Sequence, residues 1–139
     1  LIKALSRYSG IKVILIAPQE LRLPDYMLAE MSENSKLEFR EVETMEEVMP
    51  ELDILYMTRV QRERFTDLME YEKVKNVYTL HNSMLEHSKD NLRVLHPLPR
   101  VNEISYDVDS NPKAYYFQQA QNGLYARQAI ICKVLGIEV

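Results

Sequence analysis

The run Lys12-Val13-Ile14-Leu15-Ile16-Ala17 is short, β-branched and bounded by Gly10 and Pro18. Such a run predicts a strand buried on both faces, and with it a parallel sheet. Residues 37–42 alternate like a second strand, residues 53–57 form a third apolar run, and residues 77–80 and 92–96 complete the set. Between them, residues 24–34 predict a helix with Pro24 in its first turn. Thr44-Met45-Glu46-Glu47 matches a capping box and predicts a short helix to Met49. Residues 67–75 predict a further helix and residues 83–87 a helical turn. A Pro-interrupted loop follows over residues 97–112, then a long helix from Ala114 to Leu135 with Gly136 as its stop. Strands separated by helical segments need crossover connections. The pattern therefore predicts an α/β fold, a doubly wound, mostly parallel, Rossmann-like sheet with helices on both faces. The chain opens on apolar positions 1, 2, 4, 5 and 8 with no capping residue ahead, the pattern of a helix tail. That opening predicts a preceding segment.

Length and composition narrow the function classes. At 139 residues, with 46% hydrophobic and 27% charged residues, the chain has the size and balance of one globular domain. Seventeen Lys and Arg against 21 Asp and Glu leave a net charge of −4, so no large positive field exists to hold a phosphate backbone. Nucleic acid is thereby disfavoured as a partner. The longest apolar stretch, Val13 to Pro18, is far shorter than the roughly 20 residues that span a bilayer. A lone Cys132 can form no internal disulfide and fits a reducing cytoplasm. On the apolar side of the last helix it predicts a buried, inert thiol, and the seven methionines predict core filling.

In an open α/β sheet, ligands bind in the crevice at the carboxyl ends of the strands. Two loops qualify. The first leaves Met57 as Thr58-Arg59-Val60-Gln61-Arg62-Glu63-Arg64. If it stays extended, Arg59 and Gln61 point the same way and can face one ligand. Arg offers a planar carboxylate two parallel charge-assisted hydrogen bonds, and Gln supplies both donor and acceptor. If it bends into a helical turn, Glu63 can hold the Arg59 guanidinium. The competing reading is a solvated charge run. The second loop, Pro97-Leu98-Pro99-Arg100 after His96, loses two amide donors to proline and keeps its carbonyls, so it suits an incoming amide NH₂. A cis Leu98–Pro99 bond is compatible with it, and the plain alternative is a rigid strand exit.

Other chemistries fit poorly. Residues 107–111 resemble the start of a calcium loop, but Pro112 stands where Gly is needed and Gln118 where Glu is needed. His81, His87 and His96 lack metal-ligand spacing, and the three glycines form no phosphate loop. Metal and nucleotide cofactors are both disfavoured.

Three segments carry a family resemblance: residues 57–65 (Met-Thr-Arg-Val-Gln-Arg-Glu-Arg-Phe), residues 96–104 (His-Pro-Leu-Pro-Arg-Val-Asn-Glu-Ile) and residues 116–127 (Tyr-Phe-Gln-Gln-Ala-Gln-Asn-Gly-Leu-Tyr-Ala-Arg). In this order and spacing they resemble the aspartate carbamoyltransferase family. The likeness covers essentially residues 1–139 and points to the C-terminal, aspartate-binding domain of the catalytic chain. The family's carbamoyl-phosphate domain, with its Ser-Thr-Arg-Thr phosphate loop, is not among these residues.

The resemblance implies carbamoyl transfer from carbamoyl phosphate to L-aspartate in pyrimidine synthesis, without metal, cofactor or covalent intermediate. It implies that Arg59 and Gln61 clamp aspartate, that the Leu98 and Pro99 backbone accepts from the carbamoyl NH₂, and that Glu63 orients Arg59. Arg64 pairs with the other domain on closure, while Pro97, Arg100 and Arg127 support the proline loop, through salt bridging or substrate contact. No catalytic residue proper is expected within these residues. A cytoplasmic homotrimer is implied, with or without regulatory chains or fused pyrimidine enzymes. Ornithine carbamoyltransferase is the nearest rival, but there a Cys follows the loop His where this chain has Pro97. A non-catalytic aspartate-binding or assembly domain is the alternative from another class.

Overall fold

The computed structural model describes residues 1–34, 37–60, 65, 67–75 and 78–138. Two units, Leu1–Val48 and Met49–Val139, are each described by themselves.

In the first unit, helix α1 (Ile2–Leu5) precedes strand β1 (Lys12–Ile16), whose β-branched residues favour the extended backbone. Helix α2 (Asp25–Asn34) returns the chain to strand β2 (Glu38–Val42), with Asp25 in its positively polarised first turn. The two strands pair in parallel, Lys12 opposite Glu38 and Ile16 opposite Val42, which makes the unit a β-α-β crossover. Met31, Leu37, Met45 and Val48 are buried.

Two expectations change here. Strand β1 is not buried on both faces: Lys12 is exposed and the next four residues are half-buried. The Thr44 capping box does not form either. The Thr44 hydroxyl donates to the Glu47 carboxylate instead of accepting a backbone N–H, and the chain makes turns, then a 3₁₀ turn at Met49–Glu51, in place of a helix. Among the described residues no backbone N–H donates to the Thr44 oxygen, so the cap is not made.

The second unit is built around strand β4 (Arg93–Leu95), which pairs in parallel with β3 (Ile54–Tyr56). On the other side of β4, Val94 bridges Ala114 through N–H to Lys113 O (2.8 Å) and from Tyr115 N–H (2.9 Å). Leu92 and Val94 are fully buried, among a core that includes Leu55, Leu80, Leu85, Ile104, Val108 and Tyr116. Helix α3 (Leu68–Val74) is capped by Asp67, whose carboxylate accepts the Met69 N–H at 2.8 Å. A 3₁₀ helix spans Asn82–His87, and the Lys113 ammonium closes its end by donating to Leu85 O and Ser88 Oγ. Helix α4 (Tyr116–Leu135) ends at Gly136, which supplies φ +69° while the N–H of Ile137 reaches back to Cys132 O.

The α/β class, the parallel pairing and the long last helix agree with the sequence reading. Three details differ. The predicted strand over residues 77–80 is present among the described residues only as a single parallel bridge, Leu80 to Ile104. Strand β3 buries Leu55 but exposes Ile54 and Tyr56, so it has one packed face rather than two. Helix α4 is anchored by its first turn, where Tyr116 is buried, while most of its later residues are exposed. Cys132 is therefore half-buried rather than buried, and free. Met31, Met45, Met49 and Met57 do fill the core, but Met69 is exposed.

Candidate functional site

Parallel register sets the geometry. Tyr56 lies opposite Leu95, and Met57 N–H donates to Leu95 O at 2.8 Å, so the loops that follow leave neighbouring strand ends in the same direction. Adjacent strands are about 4.8 Å apart. The sheet thus brings the starts of the two candidate loops together at its carboxyl edge, the place the topology reserves for ligands.

On the β3 side, Met57 is buried, Thr58 and Arg59 are exposed and Val60 is half-buried. Gln61, Glu63 and Arg64 lie outside the described residues. The choice between an extended loop and a helical turn thus stays with the sequence.

The β4 side is built in full. The Leu98–Pro99 bond is cis, and Leu98 has φ +48°, in the left-handed region. His96, 2% exposed, directs all three of its nitrogens to fixed partners. Its backbone N–H donates to the Gln119 side-chain oxygen on α4 (2.8 Å), Nδ1 accepts the Leu98 N–H (2.8 Å), and Nε2 lies 2.8 Å from Glu103 Oε1. Accepting at Nδ1 puts the ring proton on Nε2, aimed at the carboxylate. The other Glu103 oxygen accepts the Val101 N–H at 3.1 Å. Between residues 97 and 99 the one backbone donor, Leu98 N–H, is therefore consumed, and none of the three carbonyl oxygens accepts a hydrogen bond among the described residues. The loop presents acceptors only.

Arg100 closes the loop from below. Both of its terminal nitrogens donate to the Asp109 carboxylate, one at 2.6 Å, and Nη1 also donates to Tyr116 Oη at 3.0 Å. The Tyr116 hydroxyl donates in turn to Asp109, and the guanidinium lies 4.6 Å from the Tyr106 ring centroid. These hydrogen bonds hold the Asp109 carboxyl below the ordinary carboxylate range and raise Arg100 above its ordinary value. Burial first, and the hydrogen bond to Asp109 second, push the Tyr116 phenol up to about 12. Arg127 lies one turn beyond Gly123 on α4, its exposed guanidinium over that glycine, and it makes no hydrogen bond to the proline loop among the described residues. The side chains that hold the loop are Arg100 and, unanticipated by the sequence reading, His96, Glu103, Gln119, Asp109 and Tyr116. One local signal was present: a His ring Nδ1 stands as far from Cβ as an Asn oxygen, so His96 can close the same i to i+2 turn that Asn closes.

Residues 1–134 match the family described as the Asp/Orn-binding domain of aspartate/ornithine carbamoyltransferase, and the chain belongs to that family. The particular relatives are narrower in name. The aspartate carbamoyltransferase catalytic subunit of Bacteroides thetaiotaomicron is 66% identical over 122 residues, covering 88% of this chain and 39% of its own length. That of Clostridium perfringens is 52% identical over 136 residues, covering 98% and 44%. Among solved structures, the catalytic subunit of M. jannaschii aspartate transcarbamoylase superposes with TM-score 0.87 at 39% identity, covering 98% of this chain and 44% of that one. The Trypanosoma cruzi enzyme, solved with carbamoyl aspartate and phosphate, gives TM-score 0.81 at 34% identity, covering 94% and 43%. The chain thus spans about two fifths of the length of these relatives. No described helix is long and apolar enough to cross a membrane.

Proposed function

We propose that residues 1–139 are the aspartate-binding domain of a chain that transfers a carbamoyl group from carbamoyl phosphate to L-aspartate, giving N-carbamoyl-L-aspartate and phosphate in pyrimidine synthesis. The observation that carries this reading is the proline loop at the carboxyl edge of the sheet, whose three carbonyls accept no hydrogen bond among the described residues. The names of the relatives support the choice of substrate.

In this reading Arg59 and Gln61 hold the aspartate carboxylates, and Glu63 orients Arg59. The carbonyls of Leu98 and Pro99 accept from the carbamoyl NH₂, turning the electrophilic carbon toward the aspartate amine. A bond forms between that nitrogen and the carbamoyl carbon, the bond from carbon to the phosphate oxygen breaks, and the amine loses a proton. Catalysis then lies in alignment and in stabilising the developing charges. The phosphate is held by a carbamoyl-phosphate domain outside these residues, with which Arg64 pairs on closure. Pro97 and Arg100 keep the loop in place. The working form is a cytoplasmic homotrimer, which accommodates regulatory chains or fused pyrimidine enzymes.

The test supplies the complete polypeptide that carries these residues with carbamoyl phosphate and either L-aspartate or L-ornithine. Product from aspartate alone is expected, and product from ornithine would overturn the role given to Arg59. The 139 residues expressed by themselves are expected to give no turnover. Turnover from them would remove the need for a second domain.

A further inference from the structure

We infer that His96 and Glu103 are positioning residues that make the Pro97-Leu98-Pro99 loop an acceptor-only surface, His96 by capturing its single N–H and Glu103 by fixing the ring tautomer that can do so. The inference rests on the proposed carbamoyl-binding role of that loop and says how the role is secured. A carbamoyl NH₂ is a donor, and a backbone N–H pointing at it would repel it. Proline removes that hazard at residues 97 and 99 but not at Leu98. The His96 Nδ1 removes it there, at 2.8 Å.

The same bond answers a second demand. A leucine at φ +48° sits where side chains other than glycine are disfavoured, so something must hold it. The imidazole does this only with Nδ1 unprotonated. Glu103 ensures that state, because its oxygen 2.8 Å from Nε2 claims the ring proton and its other oxygen is tied to the Val101 N–H. Both side chains are buried, and Gln119 fixes the His96 backbone to α4. The two side chains that set the tautomer are buried, while Pro97 and Pro99 are exposed.

Three variants in the complete chain test this. His96→Asn keeps an acceptor at the Nδ1 position, His96→Gln moves it to the Nε2 position, and His96→Leu removes it. Loss of the acceptor for the Leu98 N–H is expected to raise KM for carbamoyl phosphate about tenfold or more in the Gln and Leu variants, with KM for aspartate changing less. The Asn variant is expected within about threefold of the unsubstituted chain. An Asn variant no better than Leu, or all three equal to the unsubstituted chain, would overturn the inference. Nitrogen NMR on the unsubstituted chain, labelled at its three histidines, decides independently of activity and of variant folding. An unprotonated Nδ1 on a buried histidine is expected, and a protonated one overturns the proposal. A chain with no carbamoyl transfer at all would count against the functional reading instead, and the spectrum would still judge the tautomer.

Discussion

At the carboxyl end of β4, residues 97–100 are held by His96, Glu103, Asp109 and Tyr116 from their own unit. At the neighbouring end of β3, Thr58 and Arg59 stand exposed. The first arrangement fixes oxygen positions before any ligand arrives. The second offers an exposed guanidinium on a long stem, with the planar fork that suits a carboxylate. In the proposed reading the two loops divide the work. Fixed backbone dipoles suit the reacting group, which must be aligned, while a cation that reaches suits the substrate carboxylates, which need only be gripped.

Removing the reaching cation should have the largest effect. Arg59→Ala in the complete chain is expected to lower kcat/KM for aspartate by about 30- to 1,000-fold, the cost of about 2 to 4 kcal/mol for truncating one partner of a desolvated charged pair. Arg59→Lys should recover little, because an ammonium lacks the planar fork. As Arg59 is exposed, the unfolding free energy from urea titration should change by less than about 1 kcal/mol. A loss confined to carbamoyl phosphate affinity would erase the division between the loops.

Breaking the held loop from below should act on stability instead. In the ion pair the Arg100 side chain is 9% exposed and that of Asp109 32%. Asp109→Ala strands the guanidinium, which for a fully buried pair costs about 3 to 5 kcal/mol, and about 2 to 3 once the exposure of Asp109 is discounted. Urea unfolding at neutral pH measures it. The sign with pH follows from the lowered Asp109 carboxyl. Its stabilisation is complete above the usual 3.8 and fades as pH falls through the lower folded value. The Asp109→Ala variant should therefore lose less stability than the unsubstituted chain on acidification. Tyr116 works in the opposite direction. Its phenol is raised to about 12, so its contribution is intact below pH 10 and is lost as pH rises through about 12.

How much of this was legible before folding depends on range. The β-branched run at residues 12–17 and the apolar run at residues 53–57 marked strands, and Gly136 marked the end of α4, because backbone preference and punctuation are local. The exposed Ile54 and Tyr56 were misjudged, since an apolar run records what a strand can bury, not which neighbours cover it. The same held at the site. Two prolines announced the acceptor loop, but its supports lie 7 to 23 residues away, at Glu103, Asp109, Tyr116 and Gln119. Polar residues at such separations have no period to betray them.

The smallest predicted effect asks whether α4 serves the held loop through its first turn alone. Gly123 is a helix-interior glycine, and an added Cβ there would meet the Arg127 Nη1 at 3.1 Å, the far end of an exposed, flexible side chain. The guanidinium can yield by a few tenths of an ångström, so the backbone gain should win. Gly123→Ala is expected to stabilise the fold by about 0.5 to 1 kcal/mol, read from the urea midpoint. Because Tyr116 and Gln119 grip the loop upstream of this point, KM for carbamoyl phosphate should stay within about twofold, a shift of under about 0.5 kcal/mol. A larger rise would mean that the guanidinium over Gly123 also bears on the proline loop, and that the support extends two turns further along the helix than the hydrogen bonds of Tyr116 and Gln119 reach.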